Sequence, residues 1–363
     1  MKKNRILFAI SSLWLGHATR TLPIIKYYLE KWYFIDIISF WNALNFLKKE
    51  FKDIDKIWFF ELEDYPPLER WKWIKFYFYL IVDLQKTKKL IKNENNFVKK
   101  IEKNYDFIIS DWRYWVYSKK IPSFLISHQL SFVMPKWLGI FQKISDYNNI
   151  KYFKNFNRIL IPDYEDKKNN LAWKLSHPSW IEKIKYNYIW ILSDFYLEKK
   201  DFKEKIDYLF TITWYLKESK NSFVNKLIKQ AKKLNWEKIF SLWDYSKNEI
   251  KTQKNNILIY SNFTKNQKIE FFNKAKVIVS RAGYTTIMDL VELDKKAILF
   301  PTPNQTEQEY LAEYLKDYFV IWDNNDFDLV DLSEKIKNTK NFDFPSKTKE
   351  TLKKIDKIIS KYL

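Results

Sequence analysis

Residues 277–315 read VIVSRAGYTTIMDLVELDKKAILFPTPNQTEQEYLAEYL, and this stretch decides the fold. An apolar strand-like run ends at Ser280, Gly283 allows a tight turn, and Thr285 and Thr286 open a helical pattern. The first N–H groups of a helix have no partner within it, and with the helix dipole behind them they form a ready site for a diphosphate. Asp289 follows near the first turn, in reach of ribose hydroxyls. Gln308 and Glu309 begin another helix after the PTPNQ turn, placed to approach the same ligand. An ordinary βα unit with a capped helix fits the same residues, and on their own they leave both readings open.

Outward from this segment, strand-like and helix-like runs alternate along the whole chain. In the first half, strands are expected at Arg5–Ser11, Phe34–Phe40, Phe107–Ser110 and Ser123–Ser127, with helices at Ala18–Lys31, Trp41–Phe51 and Ile74–Lys103. Asp163–Lys203 is richer in turn signals and reads as a connection. The pattern then restarts with strands at Tyr208–Thr213, Lys238–Leu242, Ile257–Tyr260, Val277–Ser280 and Ala297–Phe300. Helices are expected at Ser222–Leu234, Gln267–Lys274, Thr285–Leu293 and Thr306–Tyr314. Such alternation implies parallel sheets covered by helices on both faces. The expectation is an α/β protein with two Rossmann-like domains, 1–197 and 198–345, and a closing helix in 346–363.

The 363 residues include 16 Trp and 3 Gly, where average usage would give roughly 25 glycines. Many of the tryptophans stand where glycine is expected. Trp32 and Trp236 sit where a helix gives way to a strand, the site of a left-handed helix terminator. Trp14 lies in a strand-to-helix turn, where backbone approaches a ligand. Trp112, Trp115, Trp214 and Trp243 fall at strand ends or turns, and positions 173, 180 and 190 also read better as glycine. One alternative is a tryptophan-rich core, but these indoles do not follow buried apolar stripes. The other is that UGA encodes glycine in the gene and has been translated here as tryptophan.

The formal charge of +20 invites a nucleic-acid reading, yet only six of the 64 basic residues are Arg, the side chain that forks onto phosphates and base edges. Abundant Asn, Ile, Phe and Tyr point instead to codon bias with lysine on solvated faces, so no nucleic-acid partner is expected. Attraction to anionic lipid headgroups fits the charge better. The stretch WIKFYFYLIVDLQKTKKLIKN at 73–93 reads either as core packing or as an amphipathic element at a membrane surface. No apolar run reaches the length of a membrane span, and the start lacks a small-residue cleavage site. A cytoplasmic location, including the inner face of the membrane, is therefore expected. With no Cys and three scattered His, neither a thiol nucleophile nor a metal site is expected, and no cofactor is required.

The 277–315 segment resembles the nucleotide-sugar glycosyltransferases of the GT-B fold related to glycosyltransferase family 28. That group includes the N-acetylglucosaminyltransferase of peptidoglycan lipid synthesis and the macrolide and diacylglycerol glycosyltransferases. Its R-[SA]-G-x-x-T-x-x-[DE] donor motif is matched by Arg281, Ala282, Gly283, Thr286 and Asp289. Its later Gln-rich motif is matched by Gln308, with Glu309 where a second Gln is frequent. The resemblance implies Asp289 as the ribose ligand and further donor contacts at Thr285, Thr213 and Phe263. At the other end, SSLWLGHATRTLPII is similar to the group's N-terminal Gly-rich loop through Gly16 and His17, and through Trp14 if that residue is glycine. His17 is then placed to act as general base on an acceptor hydroxyl or to orient the sugar. Asp111 and His128 each follow a strand, at the edge where open α/β sheets hold ligands. They either support that chemistry or brace loops.

The implied protein has two Rossmann-like domains facing a central cleft, the C-terminal one for the donor and the N-terminal one for the acceptor. The implied reaction is metal-independent transfer, with inversion, of a hexosyl group such as N-acetylglucosamine from a UDP-sugar to a hydroxyl acceptor; a lipid-linked acceptor is one option. Two rivals remain: a nucleotide-sugar 2-epimerase of the same fold, and a non-catalytic basic binding protein.

Overall fold

The computed structural model describes residues 4–64, 89–132, 139–197, 206–212, 217–234, 237–242, 251–254, 257–303, 305–323 and 326–363. The chain forms two compact units. Met1–Asp194 joins with Ser346–Leu363 in one, and Phe195–Pro345 forms the other.

The first unit runs β1 (Arg5–Ile10), α1 (Leu15–Glu30), β2 (Phe34–Ser39), α2 (Trp41–Glu50), β3 (Ile57–Glu61), α3 (89–101), β4 (Phe107–Asp111), β5 (Ser123–Ile126), α4 (Gly139–Phe153), β6 (Arg158–Ile161) and β7 (Tyr186–Tyr188). Its seven strands lie in the order β3-β2-β1-β4-β5-β6-β7, all parallel. The central strands are continuous apolar runs because helices cover both faces: Ile6, Leu7, Phe8, Ala9 and Ile10 are fully buried. Asp36 is a polar exception within β2. It is satisfied by Arg5 Nη2 at 2.9 Å and by the Tyr105 hydroxyl, which donates at 2.5 Å.

The second unit runs β8 (Ile206–Thr211), α5 (Lys217–Ala231), β9 (Lys238–Ser241), β10 (Lys251–Lys254), β11 (Ile257–Tyr260), α6 (Lys265–Lys274), β12 (Ala275–Arg281), α7 (Tyr284–Leu293), β13 (Lys296–Phe300), α8 (Thr306–Tyr314), β14 (Val320–Ile321) and α9 (Leu329–Lys335). Its sheet order is β10-β11-β9-β8-β12-β13-β14. All pairings are parallel except that of β10, which lies antiparallel along β11 at the edge. The core gathers Phe210, Leu227, Phe240, Val279, Ile298, Phe300 and Leu332. Thr264 caps α6 in a reciprocal box, its hydroxyl accepting from the Gln267 N–H while its own N–H donates to Gln267 Oε1.

The closing helix α10 (Thr348–Ile359) packs with the first unit. Leu352, Ile355, Ile358 and Ile359 fall on one face and are buried. Lys31 Nζ lies 2.6 Å from Asp356, and Arg158 Nε donates to the Tyr362 hydroxyl at 2.8 Å.

Most expected elements recur with ends shifted by a few residues; of the helix expected at Ile74–Lys103, residues 74–88 lie outside the described residues. Five strands, β3, β6, β7, β10 and β14, and the helices α4 and α9 add to them; β3, β7, β10 and β14 lie at sheet edges and β6 has four residues. The expected connection at Asp163–Lys203 is corrected: β7 lies inside it and completes the first sheet, and the first unit continues to Asp194.

Candidate functional site

In a doubly wound sheet, ligands settle at the carboxyl edge where the strand order reverses. In the first unit the chain leaves β1 toward β2 on one side, and β4 lies on the other, so the reversal falls between β1 and β4. His17 stands in the first turn of α1, directly after β1, and Asp111 ends β4. The intervening loop is pinned from two directions. The Ser11 N–H donates to the Asp111 carbonyl at 3.0 Å, the Ser11 hydroxyl donates to Asp64 Oδ2 at 3.0 Å, and the Ser12 N–H donates to that same oxygen.

His17 Nδ1 lies 2.8 Å from Asp111 Oδ1. Arg20, one turn further along α1, donates from Nε to Asp111 Oδ2 at 2.7 Å and from Nη2 to Oδ1. Its Nη1 lies 3.0 Å from His128 Nδ1, and Thr21 Oγ1 donates to Asp111 Oδ2 at 2.9 Å. His17, Arg20, Thr21, Asp111 and His128 are all buried. His17, Asp111 and His128, from three separate segments, are thus brought into one cluster. Arg20 and Thr21 complete it, and sequence reasoning missed both. The available signal was spacing: Arg20 and Thr21 stand three and four residues after His17, on the same helical face.

The charges fix the protons. Burial would raise the Asp111 carboxyl, but the Arg20 guanidinium and His17 outweigh it and hold it well below the usual carboxylate range. Burial, aided by Arg20, lowers the His17 imidazole against the opposing pull of Asp111. With Asp111 ionised and His17 neutral, the ring proton sits on Nδ1 and donates to the carboxylate. Arg20 Nη2, although 2.9 Å from the same nitrogen, has Asp111 as its acceptor. His17 Nε2 then carries the lone pair, the arrangement a general base requires. Arg20 can donate to His128 Nδ1 only if that nitrogen is unprotonated, which puts the His128 ring proton on Nε2.

Trp14 is the N-cap of α1, in extended backbone, and Gly16 lies in the first turn of the helix. Among the described residues no glycine has a positive φ.

In the second unit the reversal falls between β8 and β12. Thr211 and Ser280 cross-link these strands, Thr211 Oγ1 donating to Ser280 Oγ at 2.9 Å. Arg281 ends β12 and Gly283 caps α7, so Thr285 and Thr286 occupy the first turn of that helix at the switch point. The turn from β12 to α7 spans only Ala282 and Gly283, but it does not require glycine: Gly283 has φ −76 and ψ 142, and an added Cβ would meet only Thr286 Oγ1, at 3.9 Å. Glycine here leaves the α7 N–H groups open to approach without meeting a steric demand. Asp289 is buried on the next turn.

Arg281 is buried, donates from Nη1 to the Phe300 and Pro301 carbonyls at 3.3 Å, and lies 4.0 Å over the Phe223 ring. Burial lowers its guanidinium to about 9. It therefore ties the end of β12 to the turn after β13. Gln308 braces that turn too, its Oε1 accepting from the Thr302 N–H at 3.0 Å, while Glu309 is exposed on α8. Phe263 follows β11 and is buried against Tyr260 and Phe271. Thr213 lies outside the described residues, as does most of the 73–93 stretch. Among the described residues no group of three or more His, Cys, Asp or Glu is arranged to hold a metal ion, and no helix is long and apolar enough to cross a membrane.

Residues 218–361 match the glycosyltransferase family 28 C-terminal domain. No curated protein matches the chain by sequence. Among solved structures the chain is similar to LpCGTa in complex with UDP, with a TM-score of 0.61, 9% identity and 99% of each chain covered. It is similar to Arabidopsis thaliana UGT89C1 complexed with UDP-L-rhamnose, with a TM-score of 0.59 and 11% identity over 99% of this chain and 95% of that one. It is also similar to Acinetobacter baumannii MurG, with a TM-score of 0.54 and 12% identity over 99% and 98%. The fold is GT-B, as the 277–315 segment implied.

Proposed function

We propose that this chain, a GT-B glycosyltransferase carrying a family 28 C-terminal domain, transfers a hexosyl group from a UDP-sugar to a hydroxyl acceptor with inversion. The observation that carries this reading is the 2.8 Å pairing of His17 Nδ1 with Asp111 at the switch point of the first sheet. His17 Nε2 takes the acceptor proton as the acceptor oxygen attacks the anomeric carbon. The bond from that carbon to the diphosphate oxygen breaks, and its electrons leave with UDP. Asp111 keeps the ring in the productive tautomer and stabilises the imidazolium that forms; Arg20 holds Asp111.

The donor belongs on the second unit. The N-terminal N–H groups of α7, with Gly283, Thr285 and Thr286, face the diphosphate, where negative charge grows during the reaction. Asp289 takes the ribose hydroxyls. Gln308 and Arg281 shape the turn after β13, and Glu309, Phe263 and Thr213 are further donor contacts by resemblance. The reaction needs no metal, because helix dipole and N–H groups supply the positive potential. A lipid-linked acceptor at the inner face of the membrane is the finer form of this reading, supported by the basic charge and by the likeness to MurG.

The test is incubation with UDP-N-acetylglucosamine and a panel of hydroxyl acceptors, including a polyprenyl-linked sugar. Transfer that requires acceptor supports the reading. Epimerised sugar formed without acceptor overturns it in favour of a 2-epimerase. UDP-sugar binding with neither product, across the panel, overturns the assignment of His17 as base.

A further inference from the structure

A residue with a Cβ is strained at left-handed backbone, and for a bulky side chain such a φ is an outlier. Among the described residues seven that are not glycine have positive φ. Asn4 at 57° and Asp294 at 54° are of the polar types that tolerate it. The other five are all tryptophan: Trp32 at 64°, Trp41 at 46°, Trp112 at 61°, Trp173 at 28° and Trp190 at 67°. No described Phe, Tyr, Leu or Ile shares this backbone.

The local structures are those that glycine completes. After α1, the Trp32 N–H donates to the Leu29 carbonyl at 2.9 Å and the Tyr33 N–H to the Tyr28 carbonyl at 3.1 Å. That bond pair is the helix terminator that places glycine at the left-handed position. α7 ends in the same way, with Asp294 at that position. The Trp32 side chain is 71% exposed and Trp41 57%, so no burial offsets the backbone strain. Trp112 follows Asp111. Its indole N–H is buried with no acceptor among the described residues, and its ring lies 5.7 Å from the His17 ring at an interplanar angle of 31°.

We propose that positions 32, 41, 112, 173 and 190 are glycine in the protein made by its own cell, where one codon written here as tryptophan is read as glycine, and that glycine at 112 opens the face of His17 to the acceptor. The second half rests on the functional reading above; the first does not. Trp14 has extended backbone, so its conformation makes no such demand, and position 14 is glycine only through the shared codon.

Peptide mass spectrometry of the protein isolated from its native source tests the first half. Glycine masses are expected at all five positions, and a tryptophan mass at any of them overturns it. The recombinant chain supplies an independent check. W32G should melt higher than both the Trp32 protein and W32A, since glycine alone is unstrained there. W32A as stable as W32G would overturn the backbone argument. For the second half, W112G should lower the acceptor KM or raise kcat by about tenfold or more, with donor affinity unchanged. Unchanged acceptor kinetics would overturn it. Absence of transfer by every variant would count against the functional reading and leave the mass result standing.

Discussion

The two switch points are built on the same topology and filled in opposite ways. In the first sheet the space between β1 and β4 holds a closed charged cluster, where Asp111 accepts from His17, Arg20 and Thr21. In the second, the space beside β12 is opened by Gly283, and the Thr285 and Thr286 hydroxyls take no hydrogen-bond partner among the described residues. A group that must move a proton needs its tautomer fixed before the substrate arrives. A helix terminus that binds an anion needs its donors free. The difference in internal bonding thus separates a site organised for acid–base work from one organised for ligand capture.

Four experiments bear on that contrast. His17→Ala should remove the base and lower kcat by about 10²–10⁴-fold while UDP binding stays unchanged. A parallel loss of UDP affinity, measured by calorimetry, would erase the division of labour. Arg20→Met leaves the Asp111 charge buried with less compensation and should cost about 3–5 kcal/mol of stability in urea unfolding. Little loss would mean that the cluster is not the closed unit described. Asp289→Ala should weaken UDP-sugar binding by roughly 1.5–3 kcal/mol, as expected for a hydrogen bond to a charged group, without changing kcat at saturation. The smallest effect is in pH. Because the folded His17 value is lowered, the base stays neutral below its ordinary value of about 6.5, and the acid limb of kcat/KM should fall below that pH. An acid limb above 6.5 would contradict the electrostatic account. Replacing Arg20 with Met in material that still folds should move the limb upward.

Much of this was legible from the sequence, and the failures have physical causes. The apolar runs of β1, β4, β12 and β13 identify themselves because strands buried on both faces carry few polar residues, here mostly at their ends, as with Arg5, Asp111 and Arg281. β3, with IWFFE at 57–61, is apolar through Phe60 but short and at the sheet edge, and β7, with YNY at 186–188, lacks that continuity; neither is among the expected strands. His17, Asp111 and His128 could be named because each follows a strand. Arg20 could not, since an arginine within an amphipathic helix resembles a solvated residue until its partner, 91 positions away, is brought beside it. Gly283 lies in the short turn that its residue type suggests, but its backbone is one that any residue adopts. The left-handed positions are held by Trp32, Trp112 and their fellows, where the residue type hides the conformation.

The closing helix α10 bears on how the protein is made. Its four aliphatic side chains complete the packing of the first unit, and each fully buried one contributes about 1.5–3 kcal/mol. They leave the ribosome after the whole second unit. Domains usually mature in the order of synthesis, but here the second unit has its entire sequence before the first does. The nascent N-terminal unit waits with an unfinished surface until residues 346–363 have been made, and a chain that stops near residue 345 releases a complete second unit attached to an incomplete first one.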